Sequence, residues 1–376
     1  MSGIKKTNWI SNFRIIGRAK INDNSFKINE ISDSGWQYNN MNLGVDCGEQ
    51  YGIIYSNMMG GFGTDRNTVI YVHGKNDDGT DDFKNQFSVN WNDRLDDEIL
   101  DTIGDFCFIK VGLETTNEDK IFVQRFLSAY DAIAYIKEHL TNDTIINVQG
   151  NIKYNYYNDK VTMQREINSI FLSRAEPSNF KATFTQSILI DHDSVDLKNN
   201  IDMDRKRLYI DTKVLDYVKE IHGREIKSQY PLPFRFEYEF EDKETLKKVY
   251  DTIFKVKAGT YTQINFMGEF VSTGAVIQAT LEDVPDDIKT LIQMRLYTEE
   301  EILTKYAING AVERRYVLTK PIIKMEGEGD HKIPNLQIFK ERYNESDFEF
   351  NDITLDAVIA DSISDDDDMS WLDDLV

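Results

Sequence analysis

The stretch SAYDAIAYIKEHLTNDTIINVQGNIKYNYYNDKVTMQREINSIFL, residues 128–172, sets the reading of the whole chain. Ala132, Ile133, Ile136 and Leu140 recur at helical spacing, and Thr141-Asn142-Asp143 supplies a polar stop, which predicts one short amphipathic helix. Directly after it, Ile146, Val148, Gly150, Ile152, Tyr154 and Tyr156 alternate with polar residues. Asn158-Asp159 offers a turn, and Val161, Met163, Arg165, Ile167 and Ser169 alternate again, which predicts a long antiparallel hairpin. Gly150 inside the first strand marks a bulge or tight bend, the device by which a small sheet curls closed.

The unit has an echo. Glu244 to Lys255 reads as a helix, and the strand Thr262 to Val271 follows it. There Ile264-Asn265-Phe266-Met267-Gly268-Glu269-Phe270 repeats the pattern of Ile146-Asn147-Val148-Gln149-Gly150-Asn151-Ile152. Helix, connection and glycine-centred strand come twice in the same order, so a duplicated domain stands beside coincidence as the explanation.

Upstream, strands are expected at Asn12–Ile21, from Gly35 through Val45, and at Tyr51–Met59. Gly60-Gly61-Phe62-Gly63 reads as a turn, and Asp65–Asp82 as a polar excursion. Further strands are expected at Phe83–Trp91, Phe106–Leu113 and Ile121–Phe126, with a short helix at Leu95–Ile103. Three strands, a helix and two strands is the order of a five-stranded Greek-key barrel of the OB type, if Phe83–Phe126 is an insertion or extension of the third strand. The pattern breaks at Glu176-Pro177. Beyond it strands are expected at Lys181–Ile190, Arg207–Asp211, Pro231–Phe240, Ala275–Leu281 and Glu313–Met325. Asp191–Asp204 reads as a polar loop, Leu215–Ile221 as a short helix or strand, and Asp286–Met294 and Glu299–Tyr306 as helices.

The expected class is mostly β with minor α: tandem OB-like barrels at 1–176 and 177–340, then a disordered acidic C-terminal tail at 341–376. A chain of 376 residues with 40% hydrophobic content supports such cores. Two cysteines, Cys47 and Cys107, form no metal-ligand motif, and no apolar leader or membrane-length run is present. The expectation is a reducing, cytoplasmic setting, with no membrane partner.

The net charge is -22 from 65 acids and 43 bases, which taken alone argues against a nucleic-acid partner. Its distribution changes that: residues 343–376 hold 12 acids and no Lys or Arg, leaving 53 acids against 43 bases elsewhere.

Catalysis finds little support. The five histidines are scattered, and only His192 in Asp191-His192-Asp193 is flanked by acids, a pattern more often solvated surface than a metal site. No enzyme, cofactor or metal is expected. Binding fits better, because recognition of single strands needs cations along a groove and aromatic faces for stacking. The first domain offers Arg14, Arg18, Lys20, Trp36, Tyr38, Arg66, Lys153, Tyr154, Tyr156, Tyr157, Lys160 and Arg165. The plainer alternative is that the cations are solvated, Trp36 is core and the tyrosines cap a barrel end. At the C-terminus, Asp365, Asp366, Asp367 and Asp368 precede Trp371, Leu372, Asp373, Asp374, Leu375 and Val376. Apolar residues in an acid run serve no solubility purpose and read as a docking peptide.

An OB barrel followed by an acidic tail with an apolar tip resembles the single-stranded DNA-binding proteins of replication, particularly the larger bacteriophage versions. That resemblance implies coating of single-stranded DNA without sequence preference in replication and recombination, in the host cytoplasm if the chain is viral. It also implies recruitment of replication and recombination proteins by the tail, which competes with DNA for the basic groove. The chain departs from the common bacterial pattern in ending Leu375-Val376, not Pro-Phe, after a short acidic linker. The second domain is left to bind DNA or other copies of the protein. The rival reading is a viral structural or assembly protein whose β domains bind other proteins.

Overall fold

The computed structural model describes residues 4–348 except 65–66, 158–159, 274–275, 278–283, 295–296, 299–307, 310–312 and 328–331. The Asn158-Asp159 turn, Arg66, the helix expected at Glu299–Tyr306 and every tail residue from Asp365 to Val376 lie outside the described residues.

The first unit contains β1 (Ser11–Lys20), β2 (Phe26–Ile31), β3 (Trp36–Asp46) and β4 (Ile53–Gly63), then a hairpin of β5 (Val69–Lys75) and β6 (Asp81–Asn90). It continues through α1 (Asp97–Leu100), β7 (Ile109–Thr115), β8 (Ile121–Phe126), α2 (Ala129–His139), β9 (Ile145–Tyr157) and β10 (Lys160–Leu172). β1 pairs with β3 and with β9, β3 with β4, and β9 with β10. β4 and β10 meet in parallel at Asn57 and Glu166, and the ring closes. Five strands in this order, with α2 between the third and fourth, make an OB barrel. β7 then pairs with β10 in parallel from Lys110 to Gly112, resuming the lane of the third strand after the insertion.

Helix α2 forms where the periodicity places it. The Ser128 hydroxyl accepts from the Tyr130 N–H as N-cap, while Ala132, Ile133 and Ile136 are buried under the barrel.

The second unit repeats the plan with β11 (Lys181–Ile190), β12 (Ile201–Asp202), β13 (Arg207–Ile221), β14 (Arg224–Glu239), α3 (Lys243–Val249) and β15 (Thr260–Thr273). After these come β16 (Val276–Ile277), α4 (Asp286–Gln293), β17 (Ile308–Asn309), β18 (Glu313–Pro321), β19 (Ile323–Glu326), β20 (Ile333–Leu336) and β21 (Ile338–Asn344). β11 pairs with β13, β13 with β14, β14 with β18 in parallel, β18 with β15, and β15 with β11. The ring is the same, again with a helix between its third and fourth strands. The echoed strands are therefore equivalent elements, β9 and β15.

The barrels are fused edge to edge. β1 and β11 run antiparallel from Ser11–Gln186 to Ile16–Lys181, and Phe13 faces Phe184 at the centre. Phe13 also pairs with Gly150, and Phe184 with Gly268, so a pseudo-two-fold axis passes between the two phenylalanines. A Cβ at Gly150 would fall 1.9 Å from the Glu166 carbonyl oxygen and 2.8 Å from the Phe13 ring. One at Gly268 would fall 2.2 Å from the Phe184 ring. One apolar core runs through both barrels.

Several expectations need correcting. Gly60 to Gly63 end strand β4 and form no turn, because Ala129 and Tyr130 of α2 press so close that a Cβ at Gly60 would sit 2.8 Å from the Ala129 Cβ. The polar excursion holds strand β5, whose Ile70 and Val72 pack in a small satellite core. Leu215–Ile221 is the second half of one 15-residue strand. Pro231–Phe240 belongs to the longer strand β14, in which Tyr230 to Phe234 are all buried. β21 pairs with β15 up to Asn344, past residue 340.

The glycine at the centre of β15 makes the fusion testable. Gly268→Ala is expected to lower the unfolding free energy by about 1–3 kcal/mol through overpacking against Phe184. Urea unfolding measures this, and a change below about 0.5 kcal/mol would show that the ring has room to move.

Candidate nucleic-acid interface

Strand β3 buries Met41, Leu43 and Val45, so its even-numbered residues take the opposite face, where Trp36, Tyr38 and Asn42 are half-exposed and Asn40 is covered. Trp36 and Tyr38 lie on that face, half-exposed, with ring centroids 4.9 Å apart and planes 12° from parallel. Pairing with β4 sets Met59 opposite Asn40, Asn57 opposite Asn42, and Tyr55 opposite Gly44. Rings and amides thus form one strip along the two strands that carry ligands in OB folds.

Cations border this strip. Lys27 of β2 is exposed and pairs across from Asn40. On β1, Lys20 pairs with Gly44 and Arg18 with Asp46. Lys20 is held by Asp143 at 2.8 Å and Asp46 at 3.9 Å. Arg18 lies over the Phe180 ring, and the exposed Arg14 donates from Nε to Asn147 Oδ1 at 3.1 Å. Carboxylates touch the strip at two places, Glu30 opposite Tyr38 and Asp46 opposite Arg18.

The cluster Lys153 to Tyr157 divides by strand alternation. Tyr154 is 2% exposed and donates from its hydroxyl to Gln186 Oε1, while its backbone N–H donates to Asp216 Oδ2. Burial pushes its hydroxyl well above the ordinary tyrosine range. Tyr156 hydrogen-bonds His222 on the β13–β14 turn. Arg165 donates to the Tyr55 carbonyl and lies 5.2 Å from the Phe270 ring centroid. These three side chains belong to the contact between barrels. Tyr154 is buried against Phe234 and so is a structural residue, while Arg165 is half-buried beside the second barrel. Lys153, Tyr157 and Lys160 are exposed. Lys153 borders a cleft of about 460 Å³ at the seam, beside Asn151, Trp9 and the Lys6–Asp216 ion pair. Burial pushes the Lys6 amine down from its usual value, against the pull of Asp216.

Sequence reasoning missed Lys27, Asn42, Tyr55, Asn57 and Met59. The signal was present: Trp36, Tyr38, Asn40 and Asn42 occupy the phase opposite to Met41, Leu43 and Val45.

The equivalent face of the second barrel is closed by ion pairs. Arg207 lies 2.6 Å from Glu313 and 3.8 Å from Glu237, Arg315 bonds Glu237 at 2.7 Å and also Glu239, and Arg235 bonds Asp211 at 2.6 Å. Each of these cations already has a carboxylate. Hydrogen bonding from Arg207 holds the Glu313 carboxyl below its usual value.

Among the described residues no His, Cys, Asp and Glu group could hold a metal ion, and no helix is long and apolar enough to cross a membrane. His192 contacts only its exposed neighbour Asp193.

The ion pairs make a prediction. Arg207→Gln is expected to cost about 1 kcal/mol at neutral pH by removing one cation of the network, since Arg315 stays on Glu237 and Arg205 on Glu313. Because the Glu313 carboxyl is depressed on folding, that loss should be present above about pH 4.5 and fade as pH falls through its lowered folded value. Urea unfolding at pH 7 and pH 3 checks it, and an equal loss at both would remove Glu313 from the account.

Among known families, the YorF family matches residues 107–276, from the end of the insertion to β16, less than half of the chain. No curated protein matches. Among solved structures, a deletion variant of the single-stranded DNA binding protein from Thermus aquaticus matches at 9% identity, covering 86% of this chain and 98% of that one. The TM-score is 0.34, too low to carry an argument about this chain.

Proposed function

We propose that the protein binds single-stranded DNA without sequence preference, on the outward β3–β4 face of the first barrel. The observation that supports this reading is the stacked Trp36–Tyr38 pair, displayed on the ligand face of an OB barrel and continued by amides and bordering cations. Bases stack on the rings, Lys27 and Arg18 meet phosphates, and Lys153 and Lys160 extend the path along the β9–β10 hairpin. The second barrel holds the first in place, since its equivalent cations are tied to carboxylates. The protein acts by binding and performs no chemical step. Its setting is replication and recombination of phage-type DNA in the host cytoplasm, and the tail from Asp365 to Val376 recruits partner enzymes.

Fluorescence anisotropy of labelled poly-dT tests the reading. Trp36→Ala/Tyr38→Ala is expected to weaken binding by one to two orders of magnitude, since each stacked base contributes about 1–3 kcal/mol. With about four cations at phosphates, the slope of log K against log salt should be about -3. A chain ending at Asp361 should bind more tightly than the full chain at low salt. Absence of binding by either form at low salt would sink the reading.

A further inference from the structure

The insertion between β4 and β7 carries a surface that neither barrel uses. Tyr71 is 84% exposed, Phe83 58% and Phe106 80%. These rings belong to one patch. Tyr71 and His73 are two residues apart on β5 and share a face. The His73 ring lies 4.5 Å from Phe83, and Phe83 lies 5.9 Å from Phe106.

Polar contacts beneath the rings hold them in place. Asp81 Oδ1 bonds His73 Nε2 at 2.7 Å and accepts the Phe106 N–H at 3.0 Å, while Cys107 Sγ lies 3.3 Å from His73 Nδ1. Burial raises the Cys107 thiol, so it packs as a neutral group. Val72, Val89, Ile103, Phe108 and Leu127 give the insertion a core of its own. A platform fixed in advance loses little freedom when a ligand covers it.

Charge identifies the ligand class. Residues 69–107 hold ten acids and three bases; Asp77 and Asp78 stand exposed in this insertion, while Asp105 is ion-paired with Lys110. Such a field repels phosphates and attracts cations. We propose that the Tyr71–Phe83–Phe106 platform docks a cationic protein segment, in which apolar or aromatic anchors meet the rings and flanking Lys or Arg meet the carboxylates. Central aromatic anchors with complementary charge around them are the usual source of affinity and orientation at such surfaces. This surface is separate from the DNA strip and does not depend on it.

The test is selection of a phage-displayed random 12-residue peptide library on the full-length protein, followed by anisotropy of the enriched peptides and of poly-dT. The expected result is peptides rich in Lys or Arg with apolar residues, binding Phe83→Ser/Phe106→Ser at least ten-fold more weakly. Asp77→Asn/Asp78→Asn should keep binding but flatten its salt dependence. Poly-dT affinity should stay within about two-fold in every variant. No enrichment, acidic or neutral peptides, or full binding to the ring variant would each overturn the proposal. A ten-fold loss of poly-dT affinity in the ring variant would overturn it in favour of a nucleic-acid surface. Phe83 and Phe106 lie outside every apolar core, and an unchanged melting temperature would verify folding.

Discussion

The pairing of β1 with β11 at Phe13 and Phe184 is the contact on which the rest depends. Each ring needs space that only glycine in the neighbouring strand leaves, Gly150 in β9 and Gly268 in β15. A slip of one residue would turn every core side chain of a strand outward, so the two close approaches fix register in four strands at once. Beside each glycine the strand pairing carries an irregularity, between Ile167 and Ser169 in one barrel and between Met267 and Gly268 in the other. The long hairpins are thereby aimed at the opposite barrel. Tyr154 and Tyr156 reach Asp216 and His222, while the Ser272 N–H donates to the Tyr51 carbonyl near the β3–β4 turn.

Because the scaffold is given over to holding two copies together, the copies differ mainly on their outer faces. In the second barrel, Arg207, Arg235 and Arg315 are desolvated in part and tied to carboxylates. Giving one of them to a phosphate would strand its carboxylate, and that penalty offsets the attraction of the phosphate. The first barrel has rings and amides in the corresponding place. Neutral groups of this kind leave a strand free to shift its bases, which suits binding without sequence preference.

The fold was largely legible because its signals are periodic. Alternation across Ile145–Tyr157, the capped helix before it and the glycine-centred echo at Ile264–Phe270 reflect burial patterns that any barrel strand must show. The site was legible only in part. Arg14, Arg18 and Lys20 do share a face, but Tyr154 and Arg165 look like ligand residues in sequence and are used inside the fusion. Sequence alternation tells which residues share a face and not which face meets another domain. Gly60–Gly63 misled for a similar reason: the glycines answer to a helix that packs across them, a long-range contact invisible in local composition. In α3 the helical pattern of Glu244–Lys255 continues into a π-turn at Tyr250–Phe254, a change of hydrogen bonding with nearly the same residue spacing.

Charge can be treated the same way, by place instead of total. Twelve of the 22 excess negative charges lie in residues 343–376 and seven in the insertion 69–107, which leaves three for all the rest. The rest of the chain is thus close to neutral, and the acidity is concentrated in two stretches of sequence. Exposed charges beyond a Debye length of about 8–10 Å at physiological salt are largely screened. Acids farther than that from the strip weigh little there, so the net charge by itself does not exclude a bound polyanion. Lowering the salt lengthens that reach to about 30 Å at 0.01 M. Any electrostatic contribution of the two acidic stretches of the kind proposed above would be strongest in that regime.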